Sequence, residues 1–255
     1  MDVSKIHLDR ARSIEKLRYI VGYPKPEVVD VDSRFDQLRS LGVEYILSEG
    51  GSSIGGVRVL GKGYRSIVIL VETGSGLAAA KIRRVDSTRE GLIHEARMLK
   101  LANTVSVGPR LYGFTDDVIL MEYIPGSNIL DWISSEDDLG RIRYAARILL
   151  GQAYRLDRIG LDHGELSRAE RHVIVKPRGE PVIVDFESAS VYRRPRNLTS
   201  IVQYIVFRIP YITGRRVIEA DKDVILENLR MYKKSIDDES FHKLVDSLNL
   251  DQIDI

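Results

Sequence analysis

The sequence predicts an α+β fold in two lobes, a β-rich N-terminal lobe followed by a helical C-terminal lobe. From residue 43 to 82, short apolar runs alternate with glycine-containing turns, which is typical of an antiparallel sheet. From residue 136 onward, apolar residues recur at helical spacing. The 255 residues are enough to bury a sizeable core, as one large domain or as two lobes. A β-rich half followed by an α-rich half favours two lobes with a cleft between them.

The elements of the first half follow from the spacing of apolar residues. Residues 6–20 are predicted to form an amphipathic helix, and a second, short helix covers roughly Ser33 to Leu41. The runs VEYIL, VRVL, SIVILVE and LAAAKI are predicted strands. A helix over residues 86–103 and a buried strand at 118–124 complete this half.

The second half is predicted to be mainly helical. The segment LGRIRYAARILLGQAYRLDRIG has the spacing of a long amphipathic helix, and the chain from Asn197 onward is also predicted to be helical. Between them, HVIV and PVIV form a predicted strand pair around a Lys-Pro-Arg-Gly-Glu turn. We therefore divide the chain into an N-terminal helical extension (1–42), a β-rich lobe (43–124) and a helical lobe (125–255).

Composition excludes several classes of site. The chain contains no cysteine, so disulfides, thiolate metal sites and cysteine nucleophiles are excluded. The net charge of +1 produces no global attraction to nucleic acids or membranes. The charged N-terminus lacks the apolar core of a signal peptide, and no apolar run approaches membrane-spanning length. We expect a cytoplasmic protein without a membrane partner.

Two features of the β-rich half indicate phosphate chemistry. Gly61 and Gly63 lie in a predicted turn between strands, where backbone N–H groups could approach a polyphosphate without a Cβ in the way. The same pattern is also typical of an ordinary hairpin. Lys81 falls within the apolar run LAAAKI, where a buried ammonium group needs a partner. Glu95 is the expected partner because core-facing residues flank it, and Glu90 is the alternative.

Three chemically active side chains follow in the second half. The segment 161–175 reads LDHGELSRAERHVIV and contains His163 and Glu165. Asp185 then follows the apolar strand PVIV. Each of these features is common by itself in structural positions. Their order along the chain, together with the glycine turn and Lys81, indicates a single functional constellation.

This order of motifs resembles that of an atypical protein kinase of the RIO-related type. The chain is also similar to a group of archaeal chains predicted to be serine/threonine kinases. The resemblance runs from about Gly61 to Asp185, and KIRRVDSTRE, VGPRLYGF and HGELSRAERHVIV extend it. It implies a two-lobed protein-kinase-like fold with a reduced helical C-lobe. It also implies that ATP and Mg²⁺, or Mn²⁺, are bound, and that the γ-phosphate is transferred to a hydroxyl of a protein substrate or of the chain itself.

The resemblance implies roles for residues of the β-rich lobe. Ser66 replaces the third glycine of the phosphate-covering loop, and Val68 is the apolar residue that follows. Lys81 is expected on the α- and β-phosphates. Main-chain groups of Glu122 and Ile124 would meet adenine, with Met121 before them as gatekeeper. The expected cofactor-binding residues are Gly61, Gly63, Ser66, Val68, Lys81, Glu95, Met121, Glu122 and Ile124.

The catalytic loop departs from the usual kinase pattern. Glu165 stands where an aspartate base is expected, and no asparagine follows it as a metal ligand. Seven residues separate Glu165 from Val173, compared with about five in the usual pattern. Counting forward reaches Glu170 as the replacement ligand, whereas counting back from the strand reaches His172, which we favour by position. Asp185 is the second expected metal ligand, and the expected catalytic residues are Glu165, Lys81 and Asp185.

A basic cluster and two alternative functions remain open. Arg193, Arg194 and Arg196 lie just beyond Asp185, where they could bind the phosphates of an RNA or ribonucleoprotein, or form an ordinary solvated face. The departures in the loop are also compatible with a nucleotide-binding pseudokinase or a slow ATPase that acts as a switch. A small-molecule kinase shares a similar loop, but usually has a larger helical lobe than the 70 residues after Asp185 provide.

Overall fold

The protein has an α+β fold with a β-rich N-terminal part and a helical C-terminal part. A computed structural model describes residues 5–87 and 91–250. The strands are β1 Lys5–His7, β2 Val43–Leu47, β3 Ser52–Ile54, β4 Val57–Val59, β5 Gly61–Lys62, β6 Ser66–Thr73, β7 Gly76–Arg83, β8 Leu111–Phe114, β9 Val118–Glu122, β10 Ser127–Asn128, β11 Val173–Val175 and β12 Pro181–Ile183. The α-helices are α1 Leu8–Ala11, α2 Glu15–Val21, α3 Val31–Ser40, α4 Ile93–Asn103, α5 Ile129–Ser135, α6 Leu139–Arg158, α7 Ala169–His172, α8 Asn197–Gln203, α9 Ile209–Thr213, α10 Lys222–Lys234 and α11 Asp238–Asp246.

The described chain forms two compact units. The first contains the residues up to Arg97 together with Pro109–Tyr123, and the second contains Met98–Gly108 and the residues from Ile124 onward. Helix α4 therefore contributes to both. The division into an extension and two lobes at residues 42 and 124 stays a prediction, because compact units do not test where functional lobes begin.

The first unit is built on an antiparallel sheet in the order β1-β2-β6-β7-β9-β8, with β5 paired to β6. Strands β6 and β7 are eight residues each and pair along their whole length. Their alternating apolar side chains face a core that also includes residues of α2 and α3. Leu17, Phe35 and Ile69 are buried members of this core. The predicted antiparallel sheet over residues 43–82 is confirmed for β2, β6 and β7, whereas β4 pairs with β3 in a separate two-stranded sheet.

The predicted helix over residues 6–20 is only partly correct. Residues Lys5–His7 form strand β1, which pairs with β2 at the edge of the sheet, and two short helices follow. Ile6 is buried in this strand, so its apolar side chain packs into the core from the sheet and not from a helix. The helical spacing of Ile6 and Ile14 was therefore misleading, because pairing with β2 satisfies the backbone of residues 5–7 in another way.

The second unit is mainly helical and contains a small three-stranded sheet in the order β10-β11-β12. The predicted strand pair is present as β11 and β12, with Val173 opposite Ile183. Helix α6 is capped at its N-terminus by Asp138, whose side chain accepts hydrogen bonds from the first-turn amides of Gly140 and Arg141. Its buried stripe packs against α8 and β12. None of the helices in the described residues combines the length and apolar composition needed to cross a membrane.

Candidate functional site

Lys81 and Glu95 form a buried ion pair in the first unit. Lys81 lies on β7, between Val68 of β6 and Ile119 of β9, and its position near the middle of the sheet explains why its side chain is buried. Its Nζ donates a hydrogen bond to Glu95 Oε1 over 2.6 Å, and each side chain is only 5% exposed. Each charge thus compensates the desolvation of the other. The alternative partner, Glu90, lies outside the described residues.

The glycine-containing turn joins β5 to β6. The amide of Gly63 donates to the Ser66 carbonyl over 2.8 Å, which closes the turn, and Gly61 lies opposite Val68. A Cβ added at Gly61 would meet no atom within 4 Å, and at Gly63 it would make only ordinary van der Waals contact. The fold itself therefore does not require glycine at either position. This observation is compatible with the prediction that the glycines leave space for a ligand.

The residues predicted to meet adenine lie at the end of β9. Met121 and Glu122 are its last two residues, and they lie opposite Ala79 and Ala78 of β7. The Met121 side chain packs against a small cluster that includes Leu92 of the first unit. Ile124 is buried and belongs to the second unit. Their predicted contacts with adenine stay a prediction.

His163 connects two loops in the second unit. Its ring is fully buried, and Nε2 lies 3.1 Å from the carbonyl oxygen of Val184, directly before Asp185. Its backbone amide donates to Asn197 Oδ1 over 2.8 Å. Burial, reinforced by the nearby His172, lowers the pKa of His163 from 6.5 to about 4. The ring is therefore neutral near pH 7 and holds the loops in place rather than carrying a charge.

Glu165, His172 and Asp185 come together in the second unit. The lengthened loop is filled by a 3₁₀ turn at Leu166–Arg168 and by helix α7, which ends at His172. His172 Nε2 lies 3.4 Å from Glu165 Oε2, and its Nδ1 lies 3.7 Å from Asp185 Oδ2. One ligand atom from each of the three residues lies within 4.8 Å of the others. The cluster thus contains two carboxylates and one imidazole.

The rival position Glu170 is engaged elsewhere. Its Oε1 accepts a hydrogen bond from Arg208 over 2.7 Å, and its side chain is mostly buried. Glu170 therefore pairs with Arg208 instead of facing solvent freely. Glu170 is not a member of the cluster around Asp185. The position of His172 thus agrees better with the predicted replacement ligand.

Asp185 has an unusual backbone conformation. Its φ of +68° lies in the left-handed region, which aspartate and asparagine adopt more readily than most residues. Phe186, directly after it, is buried and its ring lies 5.1 Å from that of His163. A Cβ at Gly108 would approach Phe186 to 2.8 Å, so the glycine in VGPRLYGF makes room for this ring. Strained residues of this kind occur preferentially at functional sites.

The arginines beyond Asp185 are partly used within the unit. Arg193 donates from Nε to the buried Asp162 Oδ2 over 2.9 Å and from Nη2 to the Ser188 carbonyl over 2.6 Å. Arg194 donates to the carbonyl of Lys233. The backbone amide of Arg196 lies 3.3 Å from Asp162 Oδ1. The contacts of Arg193 and Arg196 with Asp162 hold the segment against the loop that contains His163 and Glu165, which is a structural use that the sequence interpretation did not include.

Arg193 also explains a glycine in the loop. Gly164 has a φ of +89°, and a Cβ there would lie 2.6 Å from Arg193 Nη2. The glycine therefore permits both the left-handed turn after His163 and the close passage of the guanidinium. A Cβ at this position would also lie 3.0 Å from the Ser188 carbonyl oxygen, to which Arg193 Nη2 donates.

Sequence reasoning missed Asn197 and Asp157. Asn197 Nδ2 donates to the Leu161 carbonyl over 2.6 Å and to Asp157 Oδ1 over 2.8 Å. Asp157, at the end of α6, also accepts from the Tyr232 hydroxyl over 2.8 Å. These buried polar groups fix the loop before Glu165. Their partners lie 30 or more residues away, so no local pattern indicates their function.

Comparisons with known proteins do not assign the chain to a family. The chain matches no protein-family model, and no curated protein is significantly similar to it. The resemblance to RIO-related kinases therefore stays a prediction. Any assignment of function must be argued from the residues described above.

Proposed function

We propose that this chain is an ATP-dependent phosphotransferase with a protein-kinase-like fold, an atypical serine/threonine protein kinase of the RIO-related type. It would transfer the γ-phosphate to a protein hydroxyl, including one of its own. The observation that carries the proposal is the convergence of the Glu165 and Asp185 carboxylates on His172. Phosphoryl transfer requires positioned phosphates, neutralised charge and an oriented nucleophile, and this cluster can supply the last two.

Lys81 is proposed to bind the phosphates in this reaction. A lysine held by a buried carboxylate is oriented before substrate arrives, which reduces the entropic cost of binding. The turn with Gly61 and Gly63 would offer backbone amides to the phosphates. Ser66 and Val68 begin the strand that follows this turn, and the adenine would meet the main chain of Glu122 and Ile124.

The divalent cation would be held by Asp185 and His172. When bound, it would neutralise the charge of the phosphates. The Asp185 carboxylate fits Mg²⁺ well, whereas the His172 nitrogen is better suited to a softer cation such as Mn²⁺. The residues present therefore fit a divalent cation as a class.

Glu165 is proposed to accept a hydrogen bond from the attacking hydroxyl. Its side chain is one methylene longer than aspartate, and a misplacement of about 1 Å can cost on the order of 100-fold in rate. The 3₁₀ turn and α7 occupy the longer loop after Glu165. In this proposal, the extra residues let the backbone lie further from the reacting hydroxyl and so compensate for the longer side chain.

A slow ATPase is the second candidate, on one observation. The Glu165 side chain is 44% exposed, so a water molecule can reach its carboxylate. If water replaces the protein hydroxyl, the same groups would release inorganic phosphate. The chain would then act as a nucleotide-dependent switch.

One experiment separates these functions. The purified protein is incubated with γ-labelled ATP and either Mg²⁺ or Mn²⁺, and both protein-bound label and released phosphate are followed. Covalent label on a serine or threonine supports the kinase, and released phosphate alone supports the ATPase. If neither product exceeds that of an Asp185→Asn control, the proposed phosphotransferase is wrong and a pseudokinase is favoured.

A further inference from the structure

We propose that Tyr23 and Arg84 form a clamp that holds the glycine-containing turn at Gly63 in a fixed position before nucleotide binds. Tyr23 lies between α2 and α3, and Arg84 directly follows β7. Both would be positioning residues, which act on a ligand only through the turn. The use of the turn to bind ATP rests on the proposed function. The clamp itself does not, because the rigidity of the turn is measured without ATP.

The turn is weakly held by its own hairpin. Strand β5 has two residues, each paired with one residue of β6. A backbone hydrogen bond from the Gly63 amide to the Ser66 carbonyl closes the turn over 2.8 Å. A Cβ added at Gly61 would meet no atom within 4 Å, so packing supports the start of this segment little. Because segments with few buried contacts open easily, contacts from outside the hairpin should decide how rigid the turn is.

Arg84 provides such a contact from the end of β7. Its Nη1 donates to the Gly63 carbonyl over 3.0 Å, while Nε and Nη2 donate to the two carboxylate oxygens of Asp86 over 2.9 and 2.7 Å. The guanidinium is planar and its donors have fixed directions, so the two-point pairing with Asp86 aims the third donor at Gly63. The backbone amide of Arg84 also donates to the Arg65 carbonyl over 2.8 Å. One residue thus holds the turn through both its side chain and its main chain.

Tyr23 contacts the cations on both strands that frame the turn. The guanidinium carbon of Arg84 lies 5.0 Å from the centroid of the Tyr23 ring, and Lys62 Nζ also lies 5.0 Å from it. A tyrosine ring attracts cations that lie over its face at this distance. Lys62 is the residue of β5 directly before Gly63. The ring therefore restrains the turn through Lys62 and orients the side chain of Arg84.

Buried contacts fasten the segment that carries Tyr23 to the end of β7. The Tyr23 carbonyl accepts a hydrogen bond from the Val85 amide over 3.0 Å. Arg34 of α3 is 1% exposed, and its Nη1 donates to the carbonyls of Val21 over 2.9 Å and Arg83 over 2.8 Å. The end of α2, helix α3 and the end of β7 are therefore joined. This attachment gives the clamp a fixed base in the core of the first unit.

A purely structural use of these contacts is the competing explanation. The contacts of Tyr23 and Arg84 would then attach the segment between α2 and α3 to the sheet, and the turn would keep its conformation without them. An exposed ion pair contributes little to overall stability by itself, so loss of Arg84 should affect global unfolding only slightly. The two explanations differ in the mobility that they predict for Gly63.

The test uses the whole chain, labelled with ¹⁵N-glycine, without nucleotide. Exchange of the Gly63 amide with solvent is measured by nuclear magnetic resonance, and the Gly63→Ala variant assigns its signal. In Arg84→Ala this exchange should be about 10-fold faster, because the hydrogen bond that restrains the turn is lost. Arg84→Lys keeps the charge but lacks the fork, so it should also exchange faster than wild type. Urea denaturation in parallel measures global stability, which should change little.

Arg58→Ala is the matched control. Arg58 Nε donates to the Gly50 carbonyl over 3.0 Å, so this variant removes the same kind of hydrogen bond from another part of the first unit. It should leave the exchange of Gly63 unchanged. Tyr23→Leu should accelerate the exchange, whereas Tyr23→Phe, which keeps the ring, should not. If Arg84→Ala does not fold, the two Tyr23 variants decide, because both retain Arg84.

Exchange of Gly63 at the wild-type rate in folded Arg84→Ala, or in Tyr23→Leu, would overturn the clamp. Equal acceleration in Arg58→Ala would do the same, since the effect would then not be specific to the turn.

Measurements with ATP separate the clamp from the proposed function. In Arg84→Ala the KM for ATP should rise about 5-fold, whereas the rate at saturating ATP should change little, because bound nucleotide selects the closed turn. Faster Gly63 exchange in a chain that does not react with labelled ATP would support the clamp and reject the phosphotransferase. Label transfer by wild type, with unchanged Gly63 exchange in Arg84→Ala, would do the reverse. A raised KM without faster exchange would also overturn the clamp, since Arg84 would then act on the nucleotide directly.

Discussion

Lys81 Nζ donates to Glu95 Oε1 over 2.6 Å, and both side chains are almost completely removed from solvent. Removing one partner leaves the other charge buried, so Lys81→Met should lower the unfolding free energy by about 3–5 kcal/mol. A double variant, Lys81→Met with Glu95→Leu, replaces both charges by apolar groups. It should recover much of that loss, as urea denaturation would measure.

The double variant also separates stability from function. Both variants lack the lysine, so both should fail to bind ATP. In the double variant this loss should persist although its stability is recovered. Nucleotide binding by either variant at wild-type affinity would show that Lys81 does not contact the phosphates. Equal stability of Lys81→Met and wild type would contradict the energetic importance of the pair.

Glu165→Gln preserves the size of the side chain and removes its charge. If Glu165 is the base, the variant should transfer phosphate about 100-fold more slowly, within the usual range of 10²–10⁴ for general-base catalysis. ATP binding should stay near that of wild type, because the phosphates are held elsewhere. Single-turnover transfer and equilibrium binding measure the two effects, and Glu170→Gln serves as the control. Unchanged transfer by Glu165→Gln would assign the residue a structural use only.

Asn197 should contribute strongly to the stability of the second unit. Asn197→Ala leaves the His163 amide and the Leu161 carbonyl without their partner. Each buried unsatisfied group costs about 1–3 kcal/mol, so the two groups together should cost about 2–6 kcal/mol in chemical denaturation. The control is Asn228→Ala on α10, where the side chain makes a single hydrogen bond of 3.3 Å. A loss at Asn197 no larger than at Asn228 would argue against its function in holding the loop.

His163 should make the fold sensitive to acid. The unfolded chain takes up a proton near pH 6.5, whereas burial keeps the folded pKa near 4, so stability falls as the pH drops from 6.5 to 4. The full difference corresponds to about 3 kcal/mol of unfolding free energy. His172, Asp185 and Asp162 also influence the ring electrostatically, and all three remain in the variant.

His163→Gln keeps an N–H group that can donate to Val184 but does not titrate. Its unfolding free energy should therefore depend less steeply on pH between 6.5 and 4 than that of wild type. Urea denaturation at several pH values measures this slope. Parallel curves for the two proteins would show that His163 is not the source of the acid sensitivity.

Part of the structure could be predicted because local patterns determine it. The alternating apolar residues of β6 and β7 indicate a sheet, and the stripe from Ile142 to Leu156 indicates a long helix. The Lys81–Glu95 pair was also predictable, since a charge within an apolar strand needs a partner and the next helix offers one. These inferences depend on neighbours in the chain or on a single strong electrostatic requirement.

Other features depend on groups that are distant in the chain. Ile6 fits a helical spacing, but pairing with β2 places it in a strand. The contact of Glu170 with Arg208, which lies more than 30 residues later, could not be predicted from the loop sequence. Asn197 gave no local signal because its partners at 157, 161 and 163 lie across the loop.

The sequence by itself determined the α+β class, the two kinds of secondary structure in the two halves, and the residue types available for chemistry. Hydrophobic periodicity and composition carry that information locally. Only the tertiary structure decided which polar groups meet: it joined Glu165, His172 and Asp185, and it used Arg193 to hold Asp162. The physical reason is that a buried polar group needs a hydrogen-bond partner that is close in space. That partner can lie at any distance along the chain, so the local sequence does not identify it.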